Sequence, residues 1–242
     1  MAVPQITLYV HPLCPYAQRA LYTSAFKGFP LSIEHVNLES KASWFLDLNP
    51  FGKVPTVKVL HRGKQVNLYE SLQVAEYFDT LPGPALYPLQ ADGQRCPLMK
   101  ALIDLHVRTG IEPATNSLFP FYFREPSAEE LAKAKAAMRV LNDQYLASGA
   151  YILNSVIGQD VLTMADVMTF PFVERMVVLK DGCFKQLVNG EDFGKLFAWF
   201  DRLASTAWAR KHLANPVHLR NLLNIAHTPA YKGLALPLSR YD

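Results

Sequence analysis

Over the first 80 residues the apolar side chains switch repeatedly between two spacings, and beyond residue 88 only one of them survives. Alternation along 6–10, 31–38 and 56–60 predicts strands, rich in β-branched residues. The turn signal Arg62-Gly63-Lys64 then predicts a fourth strand at 65–68, returning as a hairpin on the third. Between the strands, 15–27 gathers Ala17, Ala20, Leu21, Ser24 and Ala25 on one small, close-packing face, and Gly28 ends it. A second helical spacing places Leu72, Val74, Ala75 and Phe78 on one side of 71–80. The predicted order is β-α-β-(short helix)-β-β-α. Residues 81–88, Leu-Pro-Gly-Pro-Ala-Leu-Tyr-Pro, break every period and read as a linker. After it the 3.6 spacing recurs alone, at 96–109, 128–147, 163–179 and 193–206. The expected architecture is an α/β domain over 1–82, a linker at 83–95 and an all-α domain over 96–242.

Half of the 242 residues are hydrophobic and 19% are charged, so the chain has enough apolar material for real cores. A net charge of +3, evenly scattered, argues against nucleic acid or an anionic membrane as the main partner. No window approaches the roughly 18–20 apolar residues of a spanning helix, and the start lacks the marks of a signal peptide. Three widely separated cysteines, Cys14, Cys96 and Cys183, make no disulfide framework. A reduced, cytoplasmic protein is expected. The histidines show no H-E-x-x-H pair, the cysteines no zinc spacing and the glycines no phosphate loop, so neither a metal nor a nucleotide is expected.

The segment with chemical promise joins the first strand to the first helix: Cys14-Pro15-Tyr16-Ala17-Gln18-Arg19. Pro15 suits the first helical position, where its missing N–H costs nothing, and this sets Cys14 at the helix start. A thiol there faces unpaired N–H groups and the positive end of the helix dipole, which stabilise the thiolate and lower the cysteine pKa. Thiolates are the nucleophiles of disulfide chemistry. A dithiol protein carries its resolving cysteine three positions on, and this chain has Ala17 there. The site is monothiol, so a mixed disulfide on Cys14 needs an outside thiol to release it.

Three motifs in order, Cys14-Pro-Tyr-Ala-Gln-Arg19, Asn49-Pro-Phe-Gly-Lys-Val-Pro55 and Tyr69-Glu-Ser71, resemble the glutathione transferase superfamily, and within it the cysteine-type omega and lambda classes. Lys41-Ala-Ser-Trp44-Phe45 and, in the second half, Phe170-Pro-Phe-Val-Glu-Arg175 after Thr163-Met-Ala-Asp166 are similar to omega patterns. The resemblance implies a thioredoxin-like first domain and a helical second domain, with glutathione as co-substrate. It implies a cis Val54-Pro55 bond that presents the Val54 backbone to the cysteinyl part of glutathione. Ser71 and the N–H groups around it would hold the γ-glutamyl carboxylate at a helix start, Glu70 would pair with the γ-glutamyl ammonium, and Lys41 would reach the glycyl carboxylate. Tyr16, where omega proteins usually carry Phe, adds a backbone N–H and a hydroxyl near the sulfur. Phe119, Phe121, Tyr122, Phe123, Phe172 and Arg175 are candidate walls of a substrate pocket. Thr163 with Asp166 reads as a helix-capping box without chemistry.

The function these signals favour is a glutathione-dependent thioltransferase or reductase, acting on mixed disulfides or on a dehydroascorbate-type oxidant through a Cys14–glutathione disulfide. One alternative is a transferase conjugating glutathione to electrophiles, for which Tyr9 and Tyr16 are weak hydroxyl candidates. Another is a non-enzymatic relative of the intracellular chloride channel proteins. The family resemblance also implies a homodimer.

Overall fold

The computed structural model describes residues 4–12, 14–214, 217 and 219. They fall into two compact units, the first ending at Pro84 and the second starting at Ala85.

The first unit runs β1 (Gln5–Val10), α1 (Pro15–Lys27), β2 (Ser32–His35), α2 (Ser43–Leu48), β3 (Thr56–His61), β4 (Lys64–Tyr69) and α3 (Ser71–Thr80). Its sheet is ordered β2-β1-β3-β4, with β1 parallel to β2 and both other pairs antiparallel. This is the thioredoxin-like arrangement that the family resemblance implied, in the element order that the periodicities predicted. The mixed sheet follows from connectivity: a helical crossover returns β2 parallel to β1, whereas the tight turn at Arg62-Gly63 forces β4 back along β3. The core gathers Leu8 and Val10 from β1, Val57 and Val59 from β3, Ala17, Ala20 and Leu21 from α1, and Val74 and Phe78 from α3.

Helices α1 and α3 pack together, and two polar pins hold them in parallel register. Arg19 reaches Ser71, and two turns on Lys27 reaches Asp79, donating to its carbonyl at 2.9 Å with the carboxylate 3.6 Å away. Gly28 closes α1 in the left-handed region, φ 73°, with its N–H on the Ser24 carbonyl.

The second unit is helical: α4 (Pro97–His106), α5 (Glu112–Asn116), α6 (Pro120–Phe123), α7 (Ala128–Arg139), α8 (Asn154–Ile157), α9 (Met164–Val178), α10 (Lys185–Val188), α11 (Gly194–Ala204) and α12 (Ala207–Arg210). π-helical turns at Val107–Ile111 and Val140–Tyr145 continue α4 and α7. Its centre is α9, in which every residue from Met164 to Met176 is buried. The Asp166 carboxylate ties the start of α9 down, accepting from the Thr163 and Ile152 N–H groups at 2.8 Å each, from the Trp199 indole at 2.8 Å and from the Thr163 hydroxyl at 3.2 Å.

Two side chains of the segment expected as a linker, 83–95, are packed. Leu86 and Tyr87 are fully buried, the Leu86 carbonyl accepts from Met164 N–H at 2.9 Å, and Tyr87 donates to Asp104 at 2.6 Å. The prolines erase periodicity there, but two large apolar side chains still pack into the second unit. Residues 220–242 of the expected helical domain lie outside the described residues.

Candidate active site

Strand register decides which loops of the first unit meet. Tyr9 pairs with Thr56 across β1 and β3, and Thr56 pairs with Tyr69 across β3 and β4. One end of the sheet therefore carries three groups of residues side by side: His11, Pro12 and Cys14 after β1, 49–55 before β3, and Glu70-Ser71 after β4. All three motifs singled out in the sequence lie on these segments.

Cys14 is the residue before α1, extended at φ −84° and ψ 111°, with Pro15 as the first helical residue. Its own N–H is held by the His11 carbonyl at 3.0 Å. The thiol is half-buried and donates to the Val54 carbonyl at 3.6 Å. The Val54-Pro55 peptide is cis, and both residues are buried. Asn49, wholly buried, braces this turn: its amide donates to the Lys53 carbonyl at 2.9 Å and the Thr56 hydroxyl at 3.0 Å, and its oxygen accepts from Phe51 N–H at 3.0 Å. Sequence reasoning gave Asn49 no role of its own, although a polar side chain opening a Pro-Phe-Gly turn is a signal for such a brace.

Gly52, at φ 58°, shows how Lys41 joins the group. A β-carbon on Gly52 would lie 2.8 Å from Lys41 Cδ and 3.2 Å from its Nζ, so the lysine stem lies across the glycine. Glu70 precedes α3 at φ 69°, a left-handed conformation unusual for a residue with a side chain, and its own side chain is exposed. Ser71 begins the helix, and its hydroxyl accepts from Arg19 Nη1 at 3.1 Å. Tyr16 is half-buried beneath the Arg19 guanidinium, which stands 5.0 Å from the ring centre.

One end of the sheet thus assembles a thiol at a helix start, a backbone acceptor 3.6 Å away, and a second helix start with a hydroxyl and a carboxylate. Such a set suits a small peptide carrying a thiol and carboxylates. Residues 13–81 match the glutathione S-transferase N-terminal domain. Glutathione S-transferase omega-1 of Sus scrofa is 30% identical over 183 residues, 72% of this chain and 68% of the relative. This chain belongs to the glutathione transferase family. A probable glutathione transferase of Aplysia californica is 47% identical to this transferase over 79 residues, 32% of this chain and 82% of that one. Glutathione transferase Omega 3C of Trametes versicolor superposes with a TM-score of 0.67 over 88% of this chain and 91% of its own, at 24% identity, a likeness of fold.

The pocket candidates of the second unit part company. Phe119 and Phe123 are exposed and Tyr122 is 4% exposed, the three forming one aromatic cluster with centroids 5.7–6.3 Å apart. Phe121 lies stacked on Phe184 inside the unit. Phe172 and Arg175 are core residues of α9 at 0% and 1% exposure, and Arg175 donates to the Pro171 carbonyl at 2.7 Å. Both lie in the stretch Met164–Met176 of α9, in which every residue is buried. A cavity of about 380 Å³ in the first unit lies at the far end of α1, between Phe29, Pro30, Leu81 and Pro82, and is lined by none of the candidate site residues.

Burial pushes the Cys183 thiol up to about 11, so it is a poor nucleophile at neutral pH. Among the described residues no helix is long and apolar enough to cross a membrane.

Proposed function

We propose that this transferase is a monothiol, glutathione-dependent thioltransferase and reductase whose nucleophile is Cys14. The observation that carries this is the Cys14 sulfur at the amino end of α1, 3.6 Å from the Val54 carbonyl, with Ala17 where a resolving cysteine would stand. Unpaired N–H groups of the first helical turn favour a thiolate at that position. The Cys14 thiolate attacks the glutathionyl sulfur of a mixed disulfide, forming a Cys14–glutathione bond and expelling the reduced product as a thiolate, which takes a proton from water. A second glutathione thiolate then attacks the glutathionyl sulfur of that adduct, giving oxidised glutathione and restoring the Cys14 thiolate. In sum the mixed disulfide and one free glutathione become the reduced thiol and oxidised glutathione, in two covalent half-reactions. A dehydroascorbate-type oxidant takes two electrons from two free glutathiones: the Cys14 thiolate adds to its carbonyl, a first glutathione thiolate attacks the Cys14 sulfur and expels the reduced enediol, and a second releases Cys14 from the resulting disulfide as above.

In this scheme the Val54 backbone holds the cysteinyl part of glutathione, Ser71 and the start of α3 its γ-glutamyl carboxylate, Glu70 its ammonium and Lys41 its glycyl carboxylate, with Tyr16 beside the sulfur. A cytoplasmic homodimer is part of the proposal.

Reduction of a small glutathione mixed disulfide by wild type, Cys14→Ala and Cys14→Ser tests the scheme. Loss of more than 99% of turnover in both variants, with ping-pong kinetics and a 305-Da mass increase on wild type only, is expected. Retained reduction in Cys14→Ala refutes the covalent route, and conjugation of electrophiles that survives in Cys14→Ser favours a conjugating enzyme instead.

A further inference from the structure

We propose that Arg19 is a positioning residue of the glutathione site, one that fixes the Ser71 hydroxyl as a donor toward the γ-glutamyl carboxylate. This role rests on the glutathione chemistry proposed above. Arg19 is completely buried, and its Nη1 donates to Ser71 Oγ at 3.1 Å. A guanidinium has five N–H groups and no acceptor, so the polarity of that bond is forced: the serine oxygen must accept. The hydroxyl hydrogen is then left to donate, and among the described residues it has no acceptor. It sits on the first residue of the ten-residue helix α3, where the backbone N–H groups of the first turn lack partners within the helix. A carboxylate placed there receives the hydroxyl and those N–H groups together.

Two features make Arg19 suited to this work. Its guanidinium lies 5.0 Å from the Tyr16 ring centre, and this stacking fixes the plane of the fork and hence the direction of the bond to Ser71. A hydroxyl that accepts from a cation is polarised and donates more strongly in turn. The attachment of α1 to α3 does not depend on Arg19 alone, because Lys27 and Asp79 pin the same two helices two turns further on. Loss of the arginine fork should therefore disturb the serine before it disturbs the helix pair.

The experiment is calorimetric titration of the full chain with two ligands: glutathione, and the analogue in which hydrogen replaces the γ-glutamyl α-carboxylate. Wild type should prefer glutathione. Arg19→Met should lose at least tenfold in glutathione affinity and less than twofold for the analogue, with Arg19→Lys between. Ser71→Ala should erase the same preference, and adding it to Arg19→Met should cost nothing further. The rate and pH profile of Cys14 alkylation should stay within twofold of wild type. Equal weakening toward both ligands, or an unchanged preference in the variants, overturns the role of Arg19. Should Arg19→Met fail to fold, Arg19→Lys against Ser71→Ala decides by the same preference. A wild type that binds neither ligand overturns the glutathione chemistry itself, a distinct result.

Discussion

Asp166 offers a contest between two physical effects whose outcome is measurable. Its carboxylate is fully buried, and burial pushes its pKa from 3.8 to about 6, against hydrogen bonds from Ile152, Thr163 and Trp199 that favour the charged form. An acid whose folded pKa lies above its unfolded pKa contributes stability that is complete below pH 4 and lost as pH rises through about 6. Linkage with these two values makes the wild-type protein about 1.4 kcal/mol more stable at pH 5 than at pH 7.5 through this group alone. Asp166→Asn keeps the shape and removes the charge. It should cost about 2 kcal/mol at pH 7.5, because its NH₂ group faces the Thr163 N–H instead of accepting from it. The deficit should widen to about 3.5 kcal/mol at pH 5, since only the wild type gains on acidification. Urea denaturation followed by tryptophan fluorescence at the two pH values measures both numbers, and Trp199, whose indole donates to Asp166, reports locally. A deficit that stays constant, or shrinks on acidification, would show that the four donated hydrogen bonds outweigh desolvation.

His212 should act with the opposite sign. Burial, with Lys211 nearby, pushes it down to about 4, so its contribution is present above about pH 6.5 and lost as pH falls. By pH 5 the loss is about 2 kcal/mol, and His212→Gln should remove that acid sensitivity in the same urea titrations. Asn49→Ala deletes three hydrogen bonds of a buried side chain, of about 1 kcal/mol each, under the Val54-Pro55 turn. It should lower Tm by about 5–10 °C and weaken glutathione binding in calorimetry, while a Tm within 2 °C of wild type would mean that the turn stands without its brace.

Strands β1, β3 and β4 and helix α3 were legible to within a residue or two, because alternation and helical spacing act locally and their turn signals were unambiguous. Strand β2 shrank from the expected 31–38 to Ser32–His35, since as an edge strand it pairs on one side only. The helices α5, α6, α8, α10 and α12 were missed. Each has four or five residues, too few for a periodic signal, and is held by its surroundings. At the site, the positions of Cys14, Val54 and Ser71 followed from motif spacing, and Lys41 fell into place through Gly52. Arg19 was invisible as anything but part of a motif: a charged residue in an otherwise small-residue helix reads as solvent-facing, and only burial beside Ser71 gives it a partner. The burial of Phe172 and Arg175 escaped the sequence for the converse reason, because a helix buried along its length looks the same in sequence as one lining a cleft.

The wide turns at Val107–Ile111 and Val140–Tyr145 carry a consequence for how this fold tolerates change in chain length. Ile103, Val107 and Ile111 are all buried, as are Met138, Asn142 and Leu146, in steps of four residues. At about 100° per residue, eight steps of regular helix would swing the last side chain roughly 80° out of phase with the first. A turn that takes up one more residue than usual restores the phase. Deleting one residue there would give a smoother helix but leave every downstream side chain facing the wrong neighbour, so the irregularity acts as a gear tooth that keeps two stretches of helix meshed with the same core.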